Sequence, residues 1–166
     1  IVVYGKKCII LTEKDPEKLP WKKFKVDVVL DCTGRFVKDG EAGGHLKAGA
    51  KKVILSAPAK GKPLVPTYLI GVNENKYKGE KIISNASCTT NCIAPVTKII
   101  LDNFGIKKAF LNTVHSYTAD QNLVDGPHKD LRRARSAAQN IVHTSTGAAL
   151  AVTEVLPELK LKFDGI

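Results

Sequence analysis

The sequence predicts an α/β fold built on short parallel strands. Three observations carry this. Runs rich in β-branched residues, at Val26–Asp31 (VDVVLD) and Lys51–Leu55 (KKVIL), are separated by a segment of helical character. Those runs stop on small residues, Cys32-Thr33-Gly34 and Ser56-Ala57-Pro58, and the carboxyl ends of parallel strands are where such sheets form a ligand crevice. A third run, Ile82–Ser84, passes through a small polar turn into a long apolar-periodic segment ending near Phe104, so strand, tight turn and helix follow one another.

Taken in order, Ile1–Thr12 reads as a strand pair around Gly5. Glu13–Leu19 is polar and holds Pro16, which gives a loop or short turn, and Trp21–Phe24 opens a helical turn. Val28, Val29 and Leu30 are consecutive apolar residues, the pattern of a strand buried on both faces. Lys38–Ala50 is read as a helix with an Ala/Gly-rich face. Gly61–Pro66 is a loop, Thr67–Val72 a short strand, and Asn73–Lys81 a polar turn. In the helix that follows, Ile93, Val96, Ile99, Ile100 and Phe104 recur every three or four residues and define one apolar face. Pro95 is expected to kink it or distort its first turn, and Gly105 closes it. Ala109–Val114 is a strand leading to His115; Ala119–Ile141 is a long polar surface loop. Thr144-Ser145-Thr146-Gly147 caps a last helix, Ala148–Leu156, which Pro157 stops.

The chemistry centres on Cys88, at the entrance of the longest predicted helix. Unpaired N–H groups and the positive end of the helix dipole favour thiolate there, the nucleophilic form. Ser87, Thr89 and Thr90 surround it with hydroxyls. One helix, a turn and a strand later the chain reaches His115, a topology that can return an imidazole beside the thiol as base and proton shuttle. His45, His128 and His143 lack such a context and are read as structural or surface residues. Hydroxyls at Ser87, Thr89, Thr118 and Thr146, the last followed by Gly147 at a helix start, form candidate anion sites, to which Arg132, Arg133 and Arg135 can add charge.

Composition narrows the alternatives. With 43% apolar and 25% charged residues the chain has the make-up of an ordinary globular protein, and its 166 residues make one domain or two small lobes. No apolar run reaches bilayer-spanning length. Cys8, Cys32, Cys88 and Cys92 are too few and too irregular for a disulfide framework, and no zinc spacing occurs, so a reducing cytoplasm and no metal are expected. The net charge of +10 is read as a scattered lysine surface with local anion sites rather than as a nucleic-acid interface, because basic runs interleaved with aromatics are missing. Neither GxGxxG nor GxxxxGK[ST] is present. The chain opens inside a strand pattern without Met and stops as abruptly, so a piece of a longer protein is expected.

Several motifs together resemble phosphorylating glyceraldehyde-3-phosphate dehydrogenase: SNASCTTNC at Ser84–Cys92, VHSYT at Val114–Thr118, HKDLRRAR at His128–Arg135 and STGAA at Ser145–Ala149, with CTGRF and ILSAPAK upstream, in the family's order along essentially the whole chain. The resemblance implies that residues 1–87 are the C-terminal part of a dinucleotide-binding Rossmann domain with a parallel sheet, and 88–166 the N-terminal part of an α+β catalytic domain. It implies that Cys88 forms a thiohemiacetal and then a thioester with glyceraldehyde 3-phosphate, that His115 acts as base and acid, and that inorganic phosphate releases an acyl phosphate. Thr118 matches a substrate-phosphate ligand. Ser87, Thr89, Arg133, Thr146 and Gly147 match residues of the attacking-phosphate or substrate sites. Thr33, Gly34, Phe36 and Ser56 match the wall of the NAD crevice. The loop from Ala119 to Val142 resembles a segment packed between subunits of a homotetramer. Ala119 stands where some members have Asn. The family's glycine-rich turn and a phosphate-binding arginine have no counterpart among these residues, so the isolated 166 residues are expected to bind dinucleotide poorly and to turn over no aldehyde. The alternatives are a relative acting on erythrose 4-phosphate or using NADP, a non-catalytic basic binding module, and a cysteine hydrolase.

Overall fold

The computed structural model describes residues 1–38, 40–62 and 64–166. Asp39 in the predicted helix Lys38–Ala50 and Pro63 in the predicted loop Gly61–Pro66 lie outside the described residues. The chain is mixed α/β with parallel sheets and divides into two compact units, Ile1–Ser87 and Cys88–Ile166.

The first unit opens with a hairpin, β1 (Val2–Val3) against β2 (Lys6–Lys7). Its turn residues Tyr4 and Gly5 both have positive φ (47° and 75°), the handedness that a two-residue hairpin requires. The predicted second limb is cut short at Lys7, and Ile9, Ile10 and Leu11 run on exposed and unladdered. Asp15 caps a 3-10 turn at Pro16–Lys18 by accepting from the Glu17 N–H at 3.0 Å. A helical turn follows, closed by Phe24 N–H to Pro20 O at 3.1 Å.

The sheet of this unit has the order β3 (Val28–Asp31), β4 (Lys52–Leu55), β5 (Ile82–Ser84), all parallel, with Val29 beside Val53 and Ile54 beside Ile83. A helix, α1 (Gly43–Lys47), crosses between β3 and β4 as in Rossmann-type units. Val29, Val53 and Leu55 meet Ala42 and Ala50 in one core, with Trp21, Val26, Phe36 and Leu46 packed around it. Two expectations are corrected here. β3 is buried on one face only: Val28 and Leu30 remain 47% and 66% exposed, because side chains alternate across the sheet and the core lies against the face that carries Val29 and Asp31. The helix expected over Lys38–Ala50 is a single turn and a half, since Gly40 and Gly49 take positive φ and Lys38 instead bridges to Lys60. Gly49 is also held by space: a Cβ there would lie 2.6 Å from Lys22 Cβ.

The strand expected at Thr67–Val72 is likewise absent. Thr67 makes one bridge to Ser84, after which the chain turns. Asn73, buried, is the reason: its Oδ1 accepts from the Leu69 N–H and its Nδ2 donates to the Thr67 carbonyl, both at 2.9 Å, replacing the ladder partners of a strand. Asn73→Ala leaves those buried groups unpaired and is expected to destabilise the protein by about 1–3 kcal/mol, read as a lowered denaturation midpoint at unchanged m-value.

The second unit begins with α2 (Cys88–Phe104), which continues through Pro95 and ends at Gly105, φ 69°, whose N–H bonds Leu101 O at 3.0 Å. Its buried residues are Thr90, Ala94 and Thr97. The predicted apolar face is not the buried one: Val96, Ile99, Ile100 and Phe104 are exposed. α2 packs on α3 (Ala148–Val155), whose Ala148, Ala149, Ala151 and Val152 are buried, and small residues on both helices allow that close approach. β6 (Ala109–Leu111) pairs in parallel with β7 (Phe163–Gly165). The pairing is prolonged by Thr113 N–H to Ile166 O and Ile166 N–H to Leu111 O, both 2.9 Å. The segment Ala119–Ile141 is a loop of turns, tied by Asn122 N–H to Arg133 O, Gly126 N–H to Ala134 O and Ala137 N–H to Asn122 O.

Candidate active site

β5 delivers the chain to α2 through a turn of small residues. Ser84 Oγ donates to Ala57 O and accepts from the Ala86 N–H, which holds buried Ala86 at φ 54°, a left-handed conformation uncommon for a residue with a Cβ. Half-buried Ser87 follows, and Cys88 is the first residue of α2, exposed and free, as are Cys8, Cys32 and Cys92.

His115 lies four residues past β6, on a segment pinned at Thr113. Its Nε2 is 3.6 Å from Cys88 Sγ, and its Nδ1 is 2.6 Å from the Ser116 carbonyl oxygen. A carbonyl only accepts, so Nδ1 carries a proton and Nε2 is the nitrogen that exchanges one with sulfur. The thiol pKa is lowered first by its hydrogen bond to His115 and then by the Thr89 hydroxyl and backbone N–H, against an opposing effect of burial. The His115 pKa is raised, first by the Ser116 carbonyl and then by Cys88. Both shifts favour a thiolate–imidazolium pair, which is a nucleophile joined to its own proton donor.

A second group of candidates is gathered by one guanidinium. Arg133 Nε lies 2.8 Å from Asp120 Oδ2, Nη1 lies 2.8 Å from Asp130 Oδ2, and Nη2 donates to Ser145 O at 3.3 Å. Asp120 is tied to Thr118, whose hydroxyl accepts from its N–H, and the Thr118 N–H donates to Gln121 Oε1 at 2.7 Å. Ser145 adjoins Thr146, whose hydroxyl accepts from the Ala148 N–H at 3.1 Å, and Gly147 is the N-cap of α3. Thr118 and Arg133 are thus linked through Asp120, and Thr146 and Gly147 follow directly on Ser145, whose carbonyl Arg133 holds. Arg132 and Arg135 are engaged by Asp130 and Asp125. The Asp130 carboxyl is held down to about 2, first by its hydrogen bonds to Arg132. Asp120 and Asp130 are the residues that sequence reasoning missed; the only available signal was their spacing, two after Thr118 and three before Arg133.

The third group is in the first unit. Thr33 and Gly34 follow β3, Ser56 follows β4, and Phe36 is half-buried against the core. Gly34 has φ 66°, and a Cβ placed on it would meet nothing within 4 Å, so this turn beyond the end of β3 is held by its left-handed backbone and not by crowding. Among the described residues no cluster of three metal-ligating side chains occurs, and no helix is long and apolar enough to cross a membrane.

Comparison with known proteins gives two family models: residues 87–166 match the C-terminal domain of glyceraldehyde 3-phosphate dehydrogenase, and residues 1–39 match the NAD binding domain of the same family. The chain is 55% identical to glyceraldehyde-3-phosphate dehydrogenase of Geobacillus stearothermophilus over 168 residues, covering all of this chain and 50% of that protein. It is 58% identical to the Mycobacterium leprae protein of that name, covering 99% of this chain and 49% of the relative. It is 57% identical to the chloroplastic B form of Pisum sativum, covering all of this chain and 37% of the relative. The chain thus spans about half the length, or less, of these curated relatives.

Proposed function

Because this chain belongs to the glyceraldehyde-3-phosphate dehydrogenase family, we propose that the whole protein is an NAD-dependent oxidoreductase converting glyceraldehyde 3-phosphate and inorganic phosphate to 1,3-bisphosphoglycerate, a step of glycolysis. The observation that supports this most is the 3.6 Å approach of His115 Nε2 to Cys88 Sγ at the first residue of α2. On this reading residues 1–87 contribute to the dinucleotide-binding domain and residues 88–166 to the catalytic domain.

The Cys88 thiolate attacks the aldehyde carbon, forming a C–S bond, and His115 delivers its Nε2 proton to the new alkoxide. The imidazole, now neutral, takes the hydroxyl proton back as the thiohemiacetal is oxidised to a thioester. NAD, when bound, supplies the hydride acceptor, and Thr33, Gly34, Phe36 and Ser56 would form part of its wall. Inorganic phosphate then attacks the thioester carbonyl and expels Cys88 as a thiolate, a good leaving group because the start of α2 and His115 stabilise it. Thr118 holds the substrate phosphate. Ser87, Thr89, Thr146, Gly147 and Arg133 serve the attacking phosphate or the substrate, and Asp120 and Asp130 orient the Arg133 guanidinium. A homotetramer and a cytoplasmic location complete the reading, supported by the resemblance of the Ala119–Val142 loop to a subunit-packing segment and by four free cysteines.

The deciding experiment is a paired assay of the whole protein with glyceraldehyde 3-phosphate or erythrose 4-phosphate, each with NAD or NADP. Dinucleotide reduction that requires both glyceraldehyde 3-phosphate and inorganic phosphate is the expected outcome, with NAD the better acceptor. Reduction that proceeds equally well without phosphate, or only with the longer sugar, rejects the proposal.

A further inference from the structure

A buried polar cluster lies behind the candidate dinucleotide wall. Asp31, the last residue of β3, has a side chain only 2% exposed. Its Oδ1 accepts from the Thr33 N–H at 2.9 Å and from the Thr33 hydroxyl at 2.7 Å. The Thr33 oxygen in turn accepts from the Arg35 N–H at 3.1 Å. One carboxylate oxygen therefore sets the turn that carries Gly34. The other, Oδ2, is buried without a hydrogen bond, and His45 Nε2 stands 3.8 Å away. Buried His45 accepts the Trp21 indole N–H on Nδ1 at 3.0 Å. An indole only donates, so the His45 proton sits on Nε2, the nitrogen nearer Asp31. Burial pushes the His45 pKa below its ordinary value, against the raising effect of Asp31, which keeps the ring neutral at neutral pH.

The same imidazole touches the wall a second time. The Phe36 ring meets it edge-on, with centroids 6.0 Å apart and planes at 90°. Ser56 is joined as well, its N–H donating to the Asp31 carbonyl at 3.0 Å. Of the wall residues, Thr33 is held by the Asp31 carboxylate and Phe36 by His45, Gly34 is carried by the turn that Asp31 sets, and Ser56 is joined only through the Asp31 backbone. A simple core would fill this volume with hydrocarbon. A carboxylate with one oxygen lacking a hydrogen bond is an expensive choice for packing alone, and its bonds all lead to residues at the strand ends.

We infer that Asp31 and His45, braced by Trp21, are positioning residues for dinucleotide binding, acting through Thr33 and Phe36 rather than by touching the ligand. This rests on the reading that Thr33, Gly34, Phe36 and Ser56 face NAD. Their role is to hold the turn and the aromatic edge in the bound geometry before the ligand arrives.

The test uses the whole protein with Asp31→Asn, His45→Leu and His45→Gln, calorimetric titration with NAD, steady-state kinetics, and the rate of Cys88 alkylation. Asparagine keeps the size of Asp31 but removes the charge that Thr33 donates to, and leucine removes both ring nitrogens. Each is expected to raise the NAD dissociation constant and KM for NAD about fivefold to twentyfold. Turnover at saturating NAD and Cys88 alkylation stay within about twofold, since a lost positioning contact acts on binding. Glutamine can accept from Trp21 and donate toward Asp31, so His45→Gln is expected to bind NAD within about twofold of the unaltered protein. Unchanged affinity in a folded Asp31→Asn, kcat and alkylation falling together with affinity, or glutamine proving as harmful as leucine would each overturn the inference. Should Asp31→Asn fail to fold, the leucine–glutamine comparison decides it. If the unaltered protein binds no NAD, the functional reading falls and takes this inference with it; if it binds and the variants bind equally, this inference alone falls.

Discussion

Replacing Cys88 with serine is expected to lower kcat/KM for aldehyde oxidation by the whole protein about ten-thousandfold or more, the scale of losing a covalent nucleophile. The reason is acid–base chemistry rather than shape. His115, the Thr89 donors and the start of α2 lower the pKa of the thiol and favour its ionised form. An alcohol begins so far above that range that the same fields leave it protonated, and serine at this place is a weak nucleophile and a poor leaving group. NAD affinity should be unchanged, because serine differs from cysteine by a single atom and keeps its size. Initial rates with and without the substitution, beside a calorimetric titration, decide it; a variant keeping more than about one-hundredth of the activity would show that the chemistry is not thiol-borne.

His115→Asn should lower kcat/KM about a hundredfold to ten-thousandfold, the span of a lost general acid–base group. Asparagine can still reach the Ser116 carbonyl with its amide, but it offers nothing titratable to the sulfur. Two pH profiles separate this from a merely structural loss. In the unaltered protein the thiol pKa is lowered, so alkylation of Cys88 by iodoacetamide rises at a lower pH than for a free cysteine. In the variant the largest lowering influence is gone, and the midpoint should move up toward about 8.5. The activity profile of the unaltered protein should be bell-shaped. It falls on the acid side as the thiolate takes a proton. It falls on the alkaline side as His115, whose pKa is raised, loses one. The alkaline limb should vanish in His115→Asn, and its persistence there would assign that limb to another group.

These effects concern the part of the chain most legible from its sequence. Ile82–Ser84, the small turn and the residues after Cys88 agree at every level: β-branched strand, compact turn, helix stop at Gly105. Elsewhere a local signal was outweighed by surroundings that no local pattern records. The apolar residues Val96, Ile99, Ile100 and Phe104 have helical spacing, yet α2 buries Thr90, Ala94 and Thr97, because contact with α3 selects small side chains over apolar ones. Val28 and Leu30 read as interior because they are apolar, yet they sit on the open face of an edge strand. Thr67–Val72 carries strand-forming residues, and one buried asparagine takes over their backbone partners. In the candidate site, Cys88 and His115 could be proposed because their chemistry is rare. Asp120, Asp130, Asp31 and His45 could not, since a carboxylate or an imidazole looks the same in sequence whether solvated or buried.

The pinning of Thr113 by Ile166 has a consequence for how the protein is made. Thr113, two residues before His115, is pinned when β7 joins β6, and β7 follows β6 after a long intervening stretch of chain. A ribosome adding about 5–20 residues each second therefore releases Cys88 several seconds before the residues that steady its imidazole. Through that interval the cysteine has the helix start but not the histidine, and it behaves more like any other thiol. The nascent chain carries its nucleophile in a subdued form, and the sulfur reaches full reactivity only as the polypeptide closes on itself.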